Sequence, residues 1–380
     1  MRLCFRQNRP HEEPTMEERM KRKYWVLLAT AAALIASTAT ISATAGASAK
    51  LTKVTFQLKW VTQAQFAGYY AAAAQGYYQQ AGLDVNLKVG GPNITPETVV
   101  AGGGADLGLD WLPNLFATNE KGVGLVSVAQ VFARSGMTEL TWKSSGINTI
   151  AKMKGKKVAN WLGGNQYELF AALTKAGMDP ENNQGVTIVQ QPFDMNLFLK
   201  KQVDSASAMT YNELAQVLET GVKLSQINVI KMQDVGTGML EDGLFATGSW
   251  LKSPANQAIA VKFIAASLAG WIYCRDNQAA CVNLTLKEGP TLPKGHQTWM
   301  MNEINKLVWP SKTGIGIMST ADYARTAAIS KQFGVVKKTP SGAYRTDLAK
   351  AAVAQLKKQG LDVYGKSWKP LNVKVTPGGK

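Results

Sequence analysis

Histidine and cysteine are scarce in this chain of 380 residues, which contains two histidines and three cysteines. His11 and Cys4 lie near the N-terminus, so the rest of the chain offers only His296, Cys274 and Cys281. The sequence has no HExxH motif and no CxxC pair. Because zinc sites and thiol redox centres need such clusters, the sequence predicts neither a metal site nor a bound cofactor.

The apolar stretch near the N-terminus is too short to favour a membrane-spanning helix, which needs about 20 apolar residues. It runs from Trp25 to Ile35, is diluted by alanine and threonine, and follows a basic segment, Arg19 to Lys23. The small residues of 43–49 offer a cleavage site. We therefore predict that residues 1–49 are a cleaved signal peptide and that the mature protein lies in the periplasm. An uncleaved membrane anchor is the alternative.

The two remaining cysteines are seven positions apart. On one continuous helix Cys274 and Cys281 would be about 10 Å apart, which is too far for a bond between them. The polar residues 276–278 lie between them and could interrupt the helix. If the helix breaks there, an oxidising compartment favours a disulfide between the two.

Negative charge is in deficit, since the whole chain has a formal net charge of +16. Removal of residues 1–49, which hold seven basic and four acidic residues, leaves a net charge of about +13. The basic residues are scattered and form no stripe or nucleic-acid motif, so we expect no nucleic-acid partner. Steering of an anionic ligand towards the protein remains compatible with this charge.

A strand–loop–helix unit occurs twice along the chain. The first has a strand at 54–59, a loop that opens at Trp60, an alanine-rich helix and a turn at Gly82. The second has a strand at 156–160, a loop that opens at Trp161, and a helix that ends before Gly177. This repeat predicts two α/β lobes, because each unit alone builds only part of a parallel sheet.

The length beyond the signal peptide also favours two lobes. We assign 50–137 to the first part of lobe 1, 138–245 to lobe 2, and 246–380 to the second part of lobe 1. Residues 256–274 are predicted to form a helix on the surface.

Aromatic side chains are concentrated where predicted strands end. There a tryptophan or tyrosine can stack on a flat ring while its polar group stays near water. The alternative is that each ring simply fills the core. The aromatic candidates for ligand contact are Trp60, Phe66, Tyr69, Trp111, Trp161 and Tyr211.

Polar candidates accompany these rings. Gly164 and Asn165 precede a predicted helix, where free backbone N–H groups suit a carbonyl or an anion, although a plain turn capped by Asn165 is the alternative. A carboxylate can accept a bond from an amine or a ring N–H. For Glu213 the alternative is a helix-capping box, Thr210-x-x-Glu213, and for residues 241–242 the alternative is a solvated hinge loop. The carboxylate candidates are Asp110, Glu213, Glu241 and Asp242.

Five segments in a fixed order resemble one protein family. They are LKWVTQAQFAGYYAAAAQGYYQQAGLDV at 58–85, GGPNITPE at 90–97, WLGGNQYE at 161–168, MTYNE at 209–213 and LEDGLF at 240–245. They resemble the solute-binding proteins of ABC importers for thiamine-pyrimidine precursors and riboflavin, whose homologues include the fungal thiamine pyrimidine synthases. The resemblance implies a type II periplasmic-binding-protein fold, with the ligand cleft between two α/β lobes, and a membrane permease as partner.

The resemblance also argues against catalysis. In the fungal enzymes a lysine holds pyridoxal phosphate, a histidine donates ring atoms, and a cysteine-rich run supports iron. The matching positions here are Asp110, Asn114 and residues 241–245, which contain no cysteine. Aspartate cannot form a Schiff base and asparagine cannot replace imidazole as a ring donor. We therefore expect a binding protein and not an enzyme.

The sequence thus predicts an extracytoplasmic monomer that captures a planar heterocycle and delivers it to an ABC permease. A thiamine pyrimidine precursor is the first choice of ligand, and riboflavin or another aromatic vitamin is the second. A pyridoxal-phosphate-dependent synthase and a membrane-associated sensor are the alternatives from other classes. A sulfonate or nitrate-type anion would need converging basic side chains, of which only Arg134 is suggestive.

Overall fold

Strands and helices alternate along the chain in the computed structural model of the protein, which describes residues 50–380. The predicted signal peptide lies outside the described residues. Within them the strands are β1 (Thr52–Gln57), β2 (Leu83–Lys88), β3 (Leu107–Asp110), β4 (Leu125–Gln130), β5 (Met137–Trp142), β6 (Lys157–Asn160), β7 (Thr187–Gln190), β8 (Ser205–Met209), β9 (Ile227–Lys231) and β10 (Gly243–Thr247). The α-helices are α1 (Ala67–Ala74), α2 (Tyr77–Gln80), α3 (Pro96–Ala101), α4 (Leu112–Asn119), α5 (Tyr167–Lys175), α6 (Asn196–Leu199), α7 (Glu213–Glu219), α8 (Met232–Val235), α9 (Pro254–Asp276), α10 (Gln278–Glu288), α11 (Lys294–Val308), α12 (Thr320–Gln332) and α13 (Asp347–Lys358).

The strands form two sheets with the same internal arrangement. In the first, of order β2-β1-β3-β10-β4, β1 is parallel to both neighbours and β10 is antiparallel to both of its own. In the second, of order β7-β6-β8-β5-β9, β6 is parallel to both neighbours and β5 is antiparallel to both. We define lobe 1 as the first sheet with its helices and lobe 2 as the second. Strand β6 therefore has the place in lobe 2 that β1 has in lobe 1.

The chain crosses between the lobes twice. It leaves β4 at Gln130 and enters β5 at Met137, and it returns between Lys231 and Gly243. Gly243 already pairs with β3 and β4, so lobe 1 resumes there and not at residue 246. The difference arises because the apolar run that follows Gly243 is a buried strand of the first sheet and not the end of lobe 2.

The parallel strands decide which residues meet between the lobes. Trp60 follows β1 and Trp111 follows β3, so both lie at the carboxyl edge of the first sheet. In lobe 2, Trp161 follows β6 and Tyr211 follows β8. Open α/β folds bind ligands at the carboxyl ends of their strands. Both edges line the same cleft.

Helix α9 lies in the core, so the prediction of a surface helix after residue 256 is wrong. Phe263 and Trp271 are fully buried in it. The helix packs so closely on α1 that a Cβ atom on Gly270 would lie 2.0 Å from the carbonyl oxygen of Gly68. A helix that is apolar around its circumference belongs in an interior. Its length and composition would also suit a membrane span, but 61% of its most apolar window is buried within the protein.

The break between α9 and α10 joins the two cysteines. Asn277 has φ −133° and ψ 55°, so it ends one helix before the next begins at Gln278. This break brings the Cα atoms of Cys274 and Cys281 to 5.4 Å, and the two side chains form a disulfide. The bond fixes the angle between the core helix and α10, which packs on α1.

Replacement of both cysteines by alanine should destabilise the protein. A disulfide that closes a loop of this size restricts the unfolded chain, and its loss costs about 2–3 kcal/mol. We expect the free energy of unfolding in urea, measured on residues 50–380, to fall by this amount in Cys274→Ala/Cys281→Ala. An unchanged value would show that the bond does not contribute to stability.

Glu139 is a buried carboxyl group in the middle of the second sheet. It lies on β5, is fully inaccessible to solvent, and accepts hydrogen bonds from Ser205 and Ser207 of β8. Burial raises the pKa of Glu139 to about 8, and the two serine hydroxyl groups offset only part of that shift. The folded state therefore retains a proton that the unfolded chain would release.

This proton makes stability depend on pH. Because the folded pKa of Glu139 is raised, its contribution is complete below the unfolded value near 4.5 and is lost as the pH rises towards about 8. We expect the free energy of unfolding of the wild type to fall by a few kcal/mol between about pH 5 and pH 8. In Glu139→Gln this fall should be smaller, whereas in the control Glu181→Gln, at an exposed position, it should match the wild type. Equal pH profiles for all three proteins would contradict the assignment.

Candidate functional site

A cavity of about 470 Å³ separates the two lobes at the carboxyl ends of their strands. Lobe 1 contributes Lys59, Trp60, Glu97 and Asp110 to its wall, and lobe 2 contributes residues 161–167. A recess of about 30 Å³ continues from it towards Trp111, Tyr211 and Glu213. Together we call these spaces the cleft. A larger space of about 760 Å³ lies along β9, but only lobe 2 forms it and it is open to solvent. Ligand sites prefer interfaces between lobes, so the cleft is the candidate site.

Aromatic rings from both lobes close the mouth of the cleft. Trp60 of lobe 1 meets Phe193 of lobe 2 edge to face, with ring centroids 5.2 Å apart. The indole of Trp161 is held by a hydrogen bond from its Nε1 to the carbonyl oxygen of Pro192, 3.1 Å away. This bond fixes the plane of the ring where it lines the cleft. The cleft therefore offers flat apolar surfaces from opposite sides.

An ion pair between Lys59 and Asp110 forms the floor of the cleft on the side of lobe 1. The ammonium group of Lys59 bonds to Oδ1 of Asp110. The same oxygen accepts the backbone N–H of Trp111 at 2.6 Å and the side-chain amide of Asn114 at 2.9 Å. The Lys59 Nζ atom also lies 5.0 Å from the centroid of the Trp111 ring. The charge of Lys59 is thus neutralised within the protein.

Asp242 lies behind this floor and does not line the cleft. Its carboxylate accepts the Nε1 proton of Trp111 at 3.1 Å and the side-chain amide of Gln65 at 2.8 Å. Burial raises the pKa of Asp242 to about 6, and these two donors and the nearby Lys59 oppose the rise. We infer that Asp242 orients Trp111 and Gln65, since its oxygens are already occupied.

Glu241 holds the crossover segments together and does not line the cleft either. It is fully buried, and its Oε1 accepts the backbone N–H groups of Gly136 at 2.8 Å and of Met137 at 3.2 Å. Burial, with the neighbouring Glu168 and Asp242, raises the pKa of Glu241 well above its usual range. Residues 241–242 were also considered as a solvated hinge loop. Glu241 does not fit this alternative, because its side chain is buried inside the hinge.

Phe66 and Tyr69 belong to the core of lobe 1. Phe66 is fully buried. Tyr69 packs against Phe56, with ring centroids 5.0 Å apart, and against Trp271 at 5.7 Å. Neither residue lines the cleft. Phe66 and Tyr69 therefore fit the alternative interpretation, that a large ring simply fills the core.

Tyr211 and Glu213 lie at the inner end of the cleft in lobe 2. The expected capping bond from Glu213 to the N–H of Thr210 is not made, because that N–H donates to the carbonyl oxygen of Gly136 at 2.9 Å. Glu213 accepts instead the N–H of Met209 at 2.9 Å. Burial raises the pKa of Glu213 to about 7. Glu213 therefore anchors the end of β8 while it borders the recess.

The glycine loop of lobe 2 faces lobe 1. Gly164 has φ +131°, and a Cβ atom there would lie 2.9 Å from the side-chain nitrogen of Asn114. The prediction of a free N–H group at Gly164 is wrong, because this N–H donates to the side chain of Gln166 at 2.7 Å. Helix α5 begins at Tyr167 with Gln166 before it, so Asn165 is not its cap. The side chain of Asn165 lines both parts of the cleft.

Three charged residues of the cleft, Lys59, Glu97 and Lys121, were missed from the sequence. Lys59 immediately precedes Trp60 at the end of the first strand, and this position was the available signal. Glu97 is the second residue of the short helix α3, where an acidic residue suggests only favourable helix-end electrostatics. Among residues 50–380, no group of three or more His, Cys, Asp or Glu is placed to hold a metal ion.

Comparison with known proteins identifies the family. The family described as NMT1/THI5 like matches residues 63–280. The chain belongs to this family. Riboflavin-binding protein RibY of Chloroflexus aurantiacus is 23% identical over 250 residues, which cover 64% of this chain and 69% of that protein. The yeast 4-amino-5-hydroxymethyl-2-methylpyrimidine phosphate synthase THI11 is 30% identical over 137 residues, which cover 35% of this chain and 40% of the enzyme.

Solved structures agree on the architecture of this NMT1/THI5-like protein. The periplasmic aliphatic sulphonate binding protein SsuA of Escherichia coli matches with a TM-score of 0.58 at 18% identity, over 85% of this chain and 94% of that one. At such identity the match supports the fold alone. The predicted family and the predicted two-lobe α/β class are confirmed. The fold is that of the solute-binding proteins of ABC importers.

Alanine at Gly164 should disturb the cleft more than alanine at Gly163. Both residues have positive φ, +131° at Gly164 and +102° at Gly163, so both substitutions strain the backbone. Only at Gly164 would the new methyl group displace Asn114 from Asp110; at Gly163 it meets open space. We expect Gly164→Ala to lower the free energy of unfolding by about 1 kcal/mol more than Gly163→Ala, the usual cost of one hydrogen bond. Equal losses in the two variants would contradict the contact between Gly164 and Asn114.

Proposed function

We propose that this protein is the extracytoplasmic solute-binding protein of an ABC importer and that it captures a planar nitrogen heterocycle, foremost a thiamine pyrimidine precursor. The observation that carries the proposal is the presence of rings from opposite lobes, Trp60 of lobe 1 and Phe193 and Trp161 of lobe 2, around a cleft of about 470 Å³. Flat ligands bind well between such rings, while polar groups at the edge fix their orientation.

The charges of the cleft favour a neutral or weakly basic ligand over an anion. Lys59 is paired with Asp110, and Glu97 adds a second carboxyl group to the same wall. Arg134, the cation considered for an anion site, donates to the backbone carbonyls of Lys306 and Pro310 and does not line the cleft. The remaining cation of the cleft wall is Lys121, at an exposed position, so a sulfonate would find one exposed lysine and not the converging cations that it needs.

Capture explains the cleft better than catalysis. Asp110 and Asn114 occupy the positions of the Schiff-base lysine and the donor histidine of the fungal enzymes, and both side chains are engaged in one hydrogen-bond cluster. Lys59, the lysine nearest to them, is held in an ion pair. Riboflavin is the second candidate ligand, favoured by the similarity to a riboflavin-binding protein over 250 residues.

Export and delivery complete the proposal. Residues 1–49 carry the features of a signal peptide, and an exported protein of this fold can close its lobes on a ligand and present it to a permease. Native mass spectrometry of protein purified from its own periplasm tests location and ligand together. We expect a chain that begins near residue 50 with a bound pyrimidine. A bound mass that matches neither a pyrimidine nor a flavin would overturn the ligand assignment.

Removal of either cleft tryptophan should weaken ligand binding. Loss of stacking on one flat ring costs about 1–3 kcal/mol, so Trp60→Ala and Trp161→Ala should each raise the Kd by about 10- to 100-fold. The measurement is calorimetric titration with 4-amino-5-hydroxymethyl-2-methylpyrimidine. Trp250→Ala is the control, because Trp250 follows the end of β10 that is remote from the cleft. Unchanged affinity in both cleft variants would exclude stacking.

A further inference from the structure

Glu97 is a buried carboxyl group on the cleft wall for which the fold supplies no donor. Its side chain is 1% exposed, and neither of its oxygens has a hydrogen-bond partner. Buried polar groups in proteins are nearly always paired, since an unpaired one costs about 1–3 kcal/mol. A group that lines a ligand cleft and is left without a partner is available to a ligand.

The surroundings of Glu97 explain why it lacks a partner within the protein. The nearest cation, Lys59, is bonded to Asp110. The other donors of this floor, the Trp111 N–H and the Asn114 amide, also bond to Asp110 and not to Glu97. Asp110 therefore takes these donors, and the group left beside Glu97 is the Asp110 carboxylate, which can hydrogen-bond with Glu97 only when Glu97 is protonated.

We propose that Glu97 in its protonated form recognises the edge of the bound heterocycle, and that this edge carries an amino group next to a ring nitrogen. This assignment rests on the proposed function and narrows the ligand class to amino-substituted azines. The carboxyl O–H donates to the ring nitrogen, and the carboxyl C=O accepts an N–H of the amino group. The two bonds are parallel and satisfy both oxygens of Glu97 at once.

The protonation state fits this arrangement. Burial raises the pKa of Glu97 well above its usual range, the negative charge of Asp110 raises it further, and Lys59 opposes the rise. Tyr167 of lobe 2 interacts with the same carboxyl group, and Lys121 also lines the cleft. The hydrogen bond between Glu97 and the ring nitrogen requires one proton. Glu97 already carries this proton when a neutral ligand binds.

The affinity should therefore depend on pH in a defined direction. Once the pH exceeds the pKa of Glu97 in the free protein, a neutral ligand can bind only with uptake of one proton. The Kd should then rise by up to tenfold per pH unit. Below that pH the affinity should stay constant until the ligand's own ring nitrogen becomes protonated.

Two substitutions at one position test the assignment. Glutamine copies the donor and acceptor of the protonated acid but does not ionise, so Glu97→Gln should bind the amino-azine probe with a Kd that no longer rises at high pH. Alanine removes both groups, so Glu97→Ala should raise the Kd about 10- to 100-fold at pH 6. The probe is 4-amino-5-hydroxymethyl-2-methylpyrimidine, titrated calorimetrically into the full protein between pH 5.5 and 9. Glu181→Gln, at an exposed position, should behave as the wild type.

A second ligand separates recognition from a general effect on the cleft. The analogue without the 4-amino group cannot make the second bond, so Glu97→Ala should weaken its binding less than it weakens binding of the probe. Equal losses for the two ligands, or a wild-type pH profile in Glu97→Gln, would overturn the role of Glu97 while the pyrimidine assignment stands. A wild type that binds riboflavin but not the probe would overturn this inference and make the second candidate ligand the first. A wild type that binds only an alkanesulfonate would overturn the ligand class of the proposed function and this inference together.

Discussion

The carboxylate of Asp110 is the interaction on which the cleft depends. Its Oδ1 gathers three donors, from Lys59, from the backbone of Trp111 and from Asn114. Because β3 ends at Asp110, this oxygen satisfies the first free backbone N–H beyond the strand and joins the ends of β1 and β3. The same bonds neutralise Lys59 and place Asn114 against Gly164 of lobe 2. Loss of this carboxylate would leave three buried donors unpaired at once.

Buried carboxyl groups also define the hinge. Glu241, in the second crossover, accepts the backbone N–H groups of Gly136 and Met137 in the first. Glu168 of lobe 2 accepts the N–H of Met239 at 3.0 Å and the hydroxyl of Ser135 at 2.6 Å. Burial raises the pKa of Glu168 to about 8. The two crossovers are therefore tied to each other through acid side chains, at the place where the lobes would move during closure.

The sequence allowed the architecture to be predicted because local signals and order along the chain determine it. The repeat of strand, tryptophan loop and helix at Trp60 and Trp161 indicated two related sheets, and the order of motifs indicated the family. Burial was harder to predict. Tyr69 lies on α1, whose first six residues are all buried, and Phe66 immediately precedes that helix; α9 packs on α1 from about 200 residues further along the chain. No local pattern reveals such a contact.

Hydrogen-bond partners were the least predictable feature. Glu213 and Glu241 were candidates because carboxylates bind amines, but backbone N–H groups brought close by the fold occupy one oxygen of each. Glu97 is the opposite case, because it was not a candidate and yet its oxygens have no partner within the protein. It had the appearance of an ordinary residue in the first turn of a helix, and only the capture of the neighbouring donors by Asp110 leaves it without a partner. Which carboxylate is structural and which is available depends on a competition for donors that exists only in three dimensions.

The same competition underlies the proposal that this protein binds a neutral heterocycle and not an anion. A fold of this kind brings strand ends of two lobes together whatever the ligand, so specificity depends on the few side chains at those ends. Here a lysine is present at one strand end, but an aspartate at the next neutralises it. A second, buried carboxyl group, Glu97, makes this part of the wall unfavourable for an anion, and the proposed partner for it is a ring that shares a proton. Under this proposal the acid–base balance of one strand edge selects the class of ligand, while the fold only brings the two edges together.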